Sequence, residues 1–105
     1  MKNFMTMLSV LALTSVFSTW SFADSGAATF KTKCVVCHGA DGKGETPTGK
    51  SLLARDLGSA EVQSQSDAEL AGIITNGKGQ MPSFEGKLTA DQIKDVVKYI
   101  RTLKR

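Results

Sequence analysis

The sequence predicts an all-α fold, because its apolar residues recur at helical spacing and no run alternates in the manner of a β-strand. Two segments begin with the Ser/Thr-x-x-Glu/Gln pattern of a capping box, one at Ser66 and one at Thr89. Glycine-containing segments separate the predicted helices and are typical of loops. From Asp24 to Arg105 the chain has about 82 residues, which is one small domain. A core of this size is expected to need a further constraint, such as a covalently bound group.

A first helix is expected over residues 25–36, with Asp24 or Ser25 as its N-cap. Phe30 and Cys34 lie one turn apart on the same face of this helix. Phe30 is therefore predicted to be a core residue close to the first cysteine.

The middle of the chain is predicted to be irregular over residues 39–58, with a brief helical turn over residues 60–64. A helix should follow the capping box at Ser66. It should end at Asn76-Gly77, because Asn and Gly both suit a left-handed C-cap.

A closing helix is predicted after Thr89, and Tyr99 is expected at the edge of its apolar face. The Tyr99 ring should cross the first helix near Phe30, where Gly26 allows close approach. The apolar face repeats at i, i+3, i+4 and i+7 and consists of Ile93, Val96, Val97, Ile100 and Leu103. The face expected to meet water carries Lys94, Lys98, Arg101 and Lys104.

The segment from Cys34 to His38 carries the strongest functional signal, because C-x-x-C-H is the pattern of c-type haem attachment. Each thiol adds across one haem vinyl group, so Cys34 and Cys37 are predicted to hold one haem c covalently. His38 is the single histidine of the chain and is predicted to be the proximal iron ligand. Three leucines are expected to cover the apolar face of the haem: Leu52, Leu53 and Leu57.

Three other interpretations of the two cysteines are open from the sequence. A thioredoxin-like redox motif is expected near a βαβ pattern, and no strand-like runs are present to build one. A zinc site usually takes four ligands in two separated pairs, and the chain offers a single cluster of three. A structural disulfide suits an oxidising compartment but leaves His38 without a role.

Met81 is predicted to be the distal iron ligand, because it is the single methionine after residue 23. It follows a glycine-rich loop and precedes Pro82, which keeps it out of a helix. The alternative is a methionine that fills an apolar gap. We also hypothesise that a backbone carbonyl near Pro47 accepts the second ring N–H of His38, since ligating imidazoles usually have such an acceptor.

Residues 1–23 are predicted to be a secretory signal peptide, with Lys2 before an apolar run over residues 4–17 and small residues at Ser21 and Ala23. The alternative is a retained membrane anchor, although the run is short and contains hydroxyl residues. Residues 24–105 are then the exported domain, located in the periplasm, or in the thylakoid lumen of a photosynthetic organism. No stable membrane insertion is expected after cleavage.

The charge of the chain, formally +3, argues for no particular partner class. No arginine-rich cluster with interleaved aromatic residues is present, so nucleic-acid binding is not predicted. Six lysines are candidates for a rim that steers acidic redox partners, and scattered solvation is the alternative. They are Lys31, Lys33, Lys43, Lys50, Lys78 and Lys87.

These motifs together resemble the small class I monohaem cytochromes c. The resemblance lies in Cys34 to Gly39, in the Met81-Pro82 loop and in Tyr99-Ile100-Arg101 of the closing helix. The region from Ile73 to Tyr99 is most similar to the cytochrome c6 and c553 branch. The resemblance implies about four short helices wrapped around one covalent haem, with His38 and Met81 as its axial ligands.

The resemblance implies a monomeric electron carrier rather than an enzyme. Single electrons would pass between transient redox protein partners, such as membrane complexes of a respiratory or photosynthetic chain. Two alternatives stay open from the sequence. One is a haem subunit of a membrane oxidoreductase, and the other is a haem enzyme or gas sensor with a displaceable sixth ligand.

Overall fold

The structure is a computed structural model that describes residues 22–105, and over these residues it is helical with two isolated β-bridges. Residues 1–21, which hold most of the predicted signal peptide, lie outside the described part. The helices are α1 (Phe22–Lys33), α2 (Val35–His38), α3 (Pro47–Ser51), α4 (Ala60–Gln63), α5 (Asp67–Asn76) and α6 (Ala90–Thr102). The all-α prediction is confirmed. No helix in this range is long and apolar enough to cross a membrane.

Helices α1 and α6 pack closely against each other, as the sequence predicts. The ring centroids of Phe30 and Tyr99 are 5.0 Å apart, with the ring planes tilted by 49°. A methyl group at Gly26 would collide with the backbone carbonyl of Asp95 on α6. The glycine therefore allows the two backbones to approach, and the aromatic pair fills the space beside them.

The core is formed by the predicted face of α6 together with residues from α1, α4, α5 and the loops. Thr89 begins α6 with a complete capping box, in which Gln92 bonds back to the Thr89 backbone. Leu103 is half-buried at the end of this helix. The buried apolar side chains are Phe30, Leu57, Val62, Leu70, Ile74, Leu88, Ile93, Val96, Val97 and Ile100.

The first predicted helix is divided into two, which differs from the expectation of one helix over residues 25–36. Helix α1 ends at Lys33, and Cys34 becomes the N-cap of α2 with φ −114° and ψ −28°. Gly39 then ends α2 with φ 79°, a left-handed value that glycine adopts without strain. Cys37 and His38 therefore belong to a separate short helix that begins after Cys34.

Helix α3 lies within the segment that was predicted to be irregular. Thr46 is its N-cap, since the Thr46 side chain accepts a hydrogen bond from the Gly49 N–H, and Pro47 follows at the first helical position. Thr-Pro is a recognised helix start that the sequence prediction overlooked. The brief turn predicted after residue 59 is confirmed as α4.

Arg101 was expected to face water, and this prediction is wrong. Its guanidinium donates to the carbonyl oxygens of Gln63, at 3.0 Å, and Gln65, at 2.6 Å, and forms an ion pair with Asp67 at 2.8 Å. Helical periodicity places Arg101 outside the apolar face, but it cannot show that carbonyls from the α4–α5 connection lie within reach. The side chain therefore joins α6 to the start of α5.

Candidate functional site: the cavity above the Cys-x-x-Cys-His segment

A cavity of about 430 Å³ lies between the helices. The four predicted site residues, Cys34, Cys37, His38 and Met81, all line it. Most of the other lining side chains are apolar and come from α1, α4, α5, α6 and the loops. They include Phe30, Leu52, Leu53, Leu57, Val62, Leu70, Ile73, Ile74, Phe84, Val96 and Ile100.

The attachment segment is presented on one wall by the junction of α1 and α2. Cys34 is the residue between the two helices, and Cys37 and His38 form the end of α2. All three side chains are half-buried, and both thiols are free. A short helix that begins at the first cysteine thus brings both sulfurs and the imidazole to the same cavity.

Burial determines the protonation of the Cys34 thiol. Removal from water raises the Cys34 pKa to about 11, and the neighbouring Cys37 adds to this effect. The neutral thiol is therefore the stable form of Cys34 at neutral pH.

The imidazole of His38 is oriented by a backbone acceptor. Its Nδ1 lies 3.1 Å from the carbonyl oxygen of Arg55. A carbonyl can only accept, so Nδ1 carries the proton and the lone pair is on Nε2. Burial lowers the His38 pKa and so favours the neutral form that binds metals, and the hydrogen bond to Arg55 partly offsets this effect.

The hypothesis that a backbone carbonyl near Pro47 accepts the His38 ring N–H is wrong about which residue supplies the carbonyl. Pro47 is the first residue of α3, and the acceptor is Arg55, eight positions further along the chain. A backbone acceptor has no side-chain signature, so the sequence could indicate its chemistry but not its position.

The loop that carries Met81 is tied to itself and to α5. Lys78 and Met81 exchange two backbone hydrogen bonds, of 3.2 and 3.0 Å, in an isolated bridge. Ser83 then donates through its hydroxyl to the Thr75 carbonyl at 2.6 Å. Gly77 has φ 76°, and a Cβ at this position would contact the Met81 carbonyl oxygen at 2.6 Å. Met81 is half-buried in the cavity wall.

Of the six lysines predicted to form a rim, two line the cavity. Lys33 and Lys78 line it, whereas Lys31, Lys43, Lys50 and Lys87 do not. Arg55, which the sequence did not indicate, is the third basic residue of the lining, and its guanidinium is paired with Glu61 at 2.9 Å. Among the described residues, no Asp or Glu lines the cavity. The exposed apolar residues Val36, 67% exposed, and Leu53, 82% exposed, belong to the same lining.

The alternatives for the cysteines can be compared with this geometry. Among residues 22–105 no group of three or more His, Cys, Asp and Glu side chains is arranged to hold a metal ion, whereas a zinc site usually takes four ligands. The described chain also contains no βαβ unit, which a thioredoxin-like site would require.

The sequence of this chain is similar to those of known c-type cytochromes. The family described as cytochrome c oxidase, cbb3-type, subunit III matches residues 21–100. Cytochrome c6 of Nostoc sp. (strain PCC 7120) is 37% identical over 100 residues, which cover 91% of this chain and 86% of that protein. The cbb3-type cytochrome c oxidase subunit FixP of Bradyrhizobium sp. (strain ORS 278) is 35% identical over 82 residues, which span 27% of that protein.

Solved structures give the same result for the fold. The KustC0563 c-type cytochrome superposes with a TM-score of 0.71 at 34% identity, covering 76% of this chain and 98% of that one. Cytochrome c6C from Synechococcus sp. PCC 7002 superposes with a TM-score of 0.57 at 26% identity, covering 75% of this chain and 93% of that one.

Proposed function

This chain belongs to the class I c-type cytochromes and carries one covalently attached haem c, and on that basis we propose that it is an exported electron shuttle with His38 and Met81 as axial ligands. As a small monohaem cytochrome it is an electron carrier and not an enzyme. The observation that most directly supports the ligand assignment is that Cys34, Cys37, His38 and Met81 line one cavity.

The residues around the cavity fit a haem. The volume of about 430 Å³ is within the range of cofactor pockets, roughly 300–1,000 Å³. Its wall is largely apolar, as a porphyrin face requires, and the thiol, imidazole and thioether donors are those that c-type haem uses. His38 is held in the tautomer that leaves Nε2 available.

Each residue would have a distinct role in electron transfer. The bound haem supplies a one-electron ferrous–ferric couple. Cys34 and Cys37 would tether it, and His38 and Met81 would fill both axial positions, so that no position is left for a substrate. Met81, a neutral soft ligand in an apolar wall, would favour the ferrous state and a potential on the high side for haem.

A second candidate is a haem subunit of a membrane oxidoreductase. It is favoured by the match to the cbb3-type subunit III family and to FixP. This chain spans about a quarter of FixP, and residues 22–105 contain no helix that could cross a membrane.

A gas sensor or haem enzyme would need an open or easily displaced sixth position. The Met81 loop does not favour this, because two backbone bonds to Lys78 and the Ser83 hydroxyl bond to Thr75 hold it on both sides. A ligand fixed in this way is costly to displace.

Export and cleavage before Asp24 are part of the proposal and rest on the sequence of residues 1–23. The partners proposed are acidic redox proteins that meet the chain transiently at the face carrying Lys33 and Lys78. Such redox encounters use small interfaces, which fits a monomer that visits several partners.

The ligand assignment is tested by replacing Met81. The ferric protein should show the weak red absorption band that reports a bond between iron and a methionine sulfur, and Met81→Ala should abolish it. Glu85→Gln is the matched control, because Glu85 is exposed on the same loop and does not line the cavity. Glu85→Gln should keep the band. A wild-type protein that lacks the band and binds carbon monoxide readily as isolated would contradict the carrier proposal.

A further inference from the structure

The segment between α2 and α3 holds the backbone of the attachment motif. The Thr46 hydroxyl lies 2.8 Å from the carbonyl oxygen of Val36 and 3.0 Å from that of Cys37. The Gly44 N–H donates to the next carbonyl, that of His38, at 2.7 Å. The last carbonyls of a helix have no partner within it, so three successive carbonyls of the motif are satisfied by this segment.

The same segment is linked to the acceptor of the His38 imidazole. The Gly49 carbonyl accepts from the Ala54 N–H at 2.8 Å, one residue before the Arg55 carbonyl that faces His38. A Cβ at Gly49 would collide with the Cys37 carbonyl. The backbone that carries His38 and the carbonyl that orients its ring are thus both attached to the turn over residues 46–49.

The hydroxyl of Thr46 links the attachment motif to the turn over residues 46–49. A hydroxyl has one hydrogen to donate and two lone pairs, and Thr46 shares its hydrogen between two carbonyls while it accepts from the Gly49 N–H at 2.9 Å. Ser59, Ser66 and Thr89 also cap helices. Among these four caps of the described chain, only Thr46 has a hydrogen bond to the attachment motif.

We propose that Thr46 is a positioning residue, which fixes the Cys-x-x-Cys-His segment relative to the Arg55 carbonyl and thereby orients the His38 imidazole. The inference rests on the proposed role of His38 as the proximal ligand. Without the Thr46 hydroxyl, α2 separates from α3 more often and water reaches His38 and Cys37. Water favours the more highly charged ferric state, so the reduction potential falls.

The test compares three variants of the exported, haem-loaded protein. Thr46→Val removes the hydroxyl and keeps the shape, Thr46→Ser restores the hydroxyl, and Thr89→Val removes an equivalent cap that has no contact with the motif. Two quantities are measured: the reduction potential, and the hydrogen exchange of the His38 and Gly39 amides, which bond within α2.

In Thr46→Val we expect exchange of these amides to be about five- to tenfold faster, which is the effect of losing one hydrogen bond. The potential should fall in the same variant. Thr89→Val should leave both quantities at their wild-type values, and Thr46→Ser should restore them. If Thr46→Val acquires no haem while Thr89→Val and Thr46→Ser do, the proposal is also supported, because loss of a cap alone is then not the cause.

Equal behaviour of Thr46→Val and Thr89→Val would overturn the proposal. The exchange measurement does not involve Met81. A wild-type protein without the methionine band therefore refutes the proposed axial pair, while the role of Thr46 is still decided by the exchange rates.

Discussion

His38 shows how much of this site is determined by a single hydrogen bond. The sequence identifies the residue, because it is the one histidine and directly follows the second cysteine. Its tautomer is determined by the Arg55 carbonyl, which is 17 residues away in sequence. The side chain of Arg55 points to a different interaction, an exposed ion pair with Glu61, so the backbone and side chain of this residue have separate roles.

Phe30 is the residue whose truncation should affect stability most clearly. It is 1% exposed, packs on Tyr99 and lines the cavity. Phe30→Ala should lower the free energy of unfolding of the haem-loaded protein by about 3–5 kcal/mol, because it removes a buried ring and leaves a void. Denaturant titration measures this value.

Phe30→Leu is the control, since it keeps most of the apolar volume and should cost only about 1 kcal/mol. An Ala variant as stable as the Leu variant would contradict this, because the apolar volume at position 30 would then contribute nothing to stability.

At the scale of the elements, the Met81 loop can be tested with two glycines that share an unusual backbone conformation. Gly77 and Gly79 both have positive φ, 76° and 57°. A Cβ at Gly77 would contact the Met81 carbonyl, while a Cβ at Gly79 has nothing within 4 Å. A positive φ alone costs alanine about 1 kcal/mol. Gly77 also has ψ 168°, a region open essentially to glycine, so alanine costs about 1–3 kcal/mol there.

Gly77→Ala should therefore also displace the loop, weakening the methionine absorption band and increasing carbon monoxide binding. Gly79→Ala should lose less stability, because it has only its positive φ to oppose it, and should keep the band. The two effects are separated by measuring unfolding and the absorption spectrum on the same samples. Identical spectra for the two variants would mean that Gly77 does not support Met81.

The elements also show where sequence reasoning succeeds and where it fails. Capped helices with a clear apolar period, such as α5 and α6, begin and end where the sequence predicts. Periodicity does not indicate the division of the first helix at Cys34, because the apolar spacing continues across it. Helix α3 is signalled by Thr46-Pro47, but the glycines around it favour a loop in a reading of the sequence.

At the scale of the whole molecule, the sequence indicates the residues proposed to hold the haem but not the residues that support them. Cys34, Cys37, His38 and Met81 are indicated by residue type and spacing, and the fold brings all four to one cavity. Arg55 contributes its backbone carbonyl, and the Thr46 hydroxyl bonds to a backbone carbonyl of the motif. Neither contribution can be recognised from the type of side chain. Charge at the cavity is likewise a property of the fold, since four of the six predicted lysines lie elsewhere.

The cationic residues at the cavity predict how the protein meets an anionic redox partner. With hexacyanoferrate as a small anionic probe, the electron-transfer rate should fall as salt is added, because screening weakens steering. Lys33→Gln and Lys78→Gln should each lower the rate at low salt. Lys94→Gln, which removes an exposed charge of α6 outside the cavity lining, should leave the rate unchanged. The electron-transfer rates are measured by stopped-flow kinetics. Equal rates for all three variants would contradict steering by Lys33 and Lys78.

We propose that one haem is bonded to Cys34 and Cys37 and enclosed between His38 and Met81. This can be tested by the intact mass and absorption spectrum of the protein exported by a host that matures c-type cytochromes. We expect a red protein with the mass of the chain from Asp24 plus one haem that denaturation does not release. A colourless product with the mass of the peptide alone would contradict it.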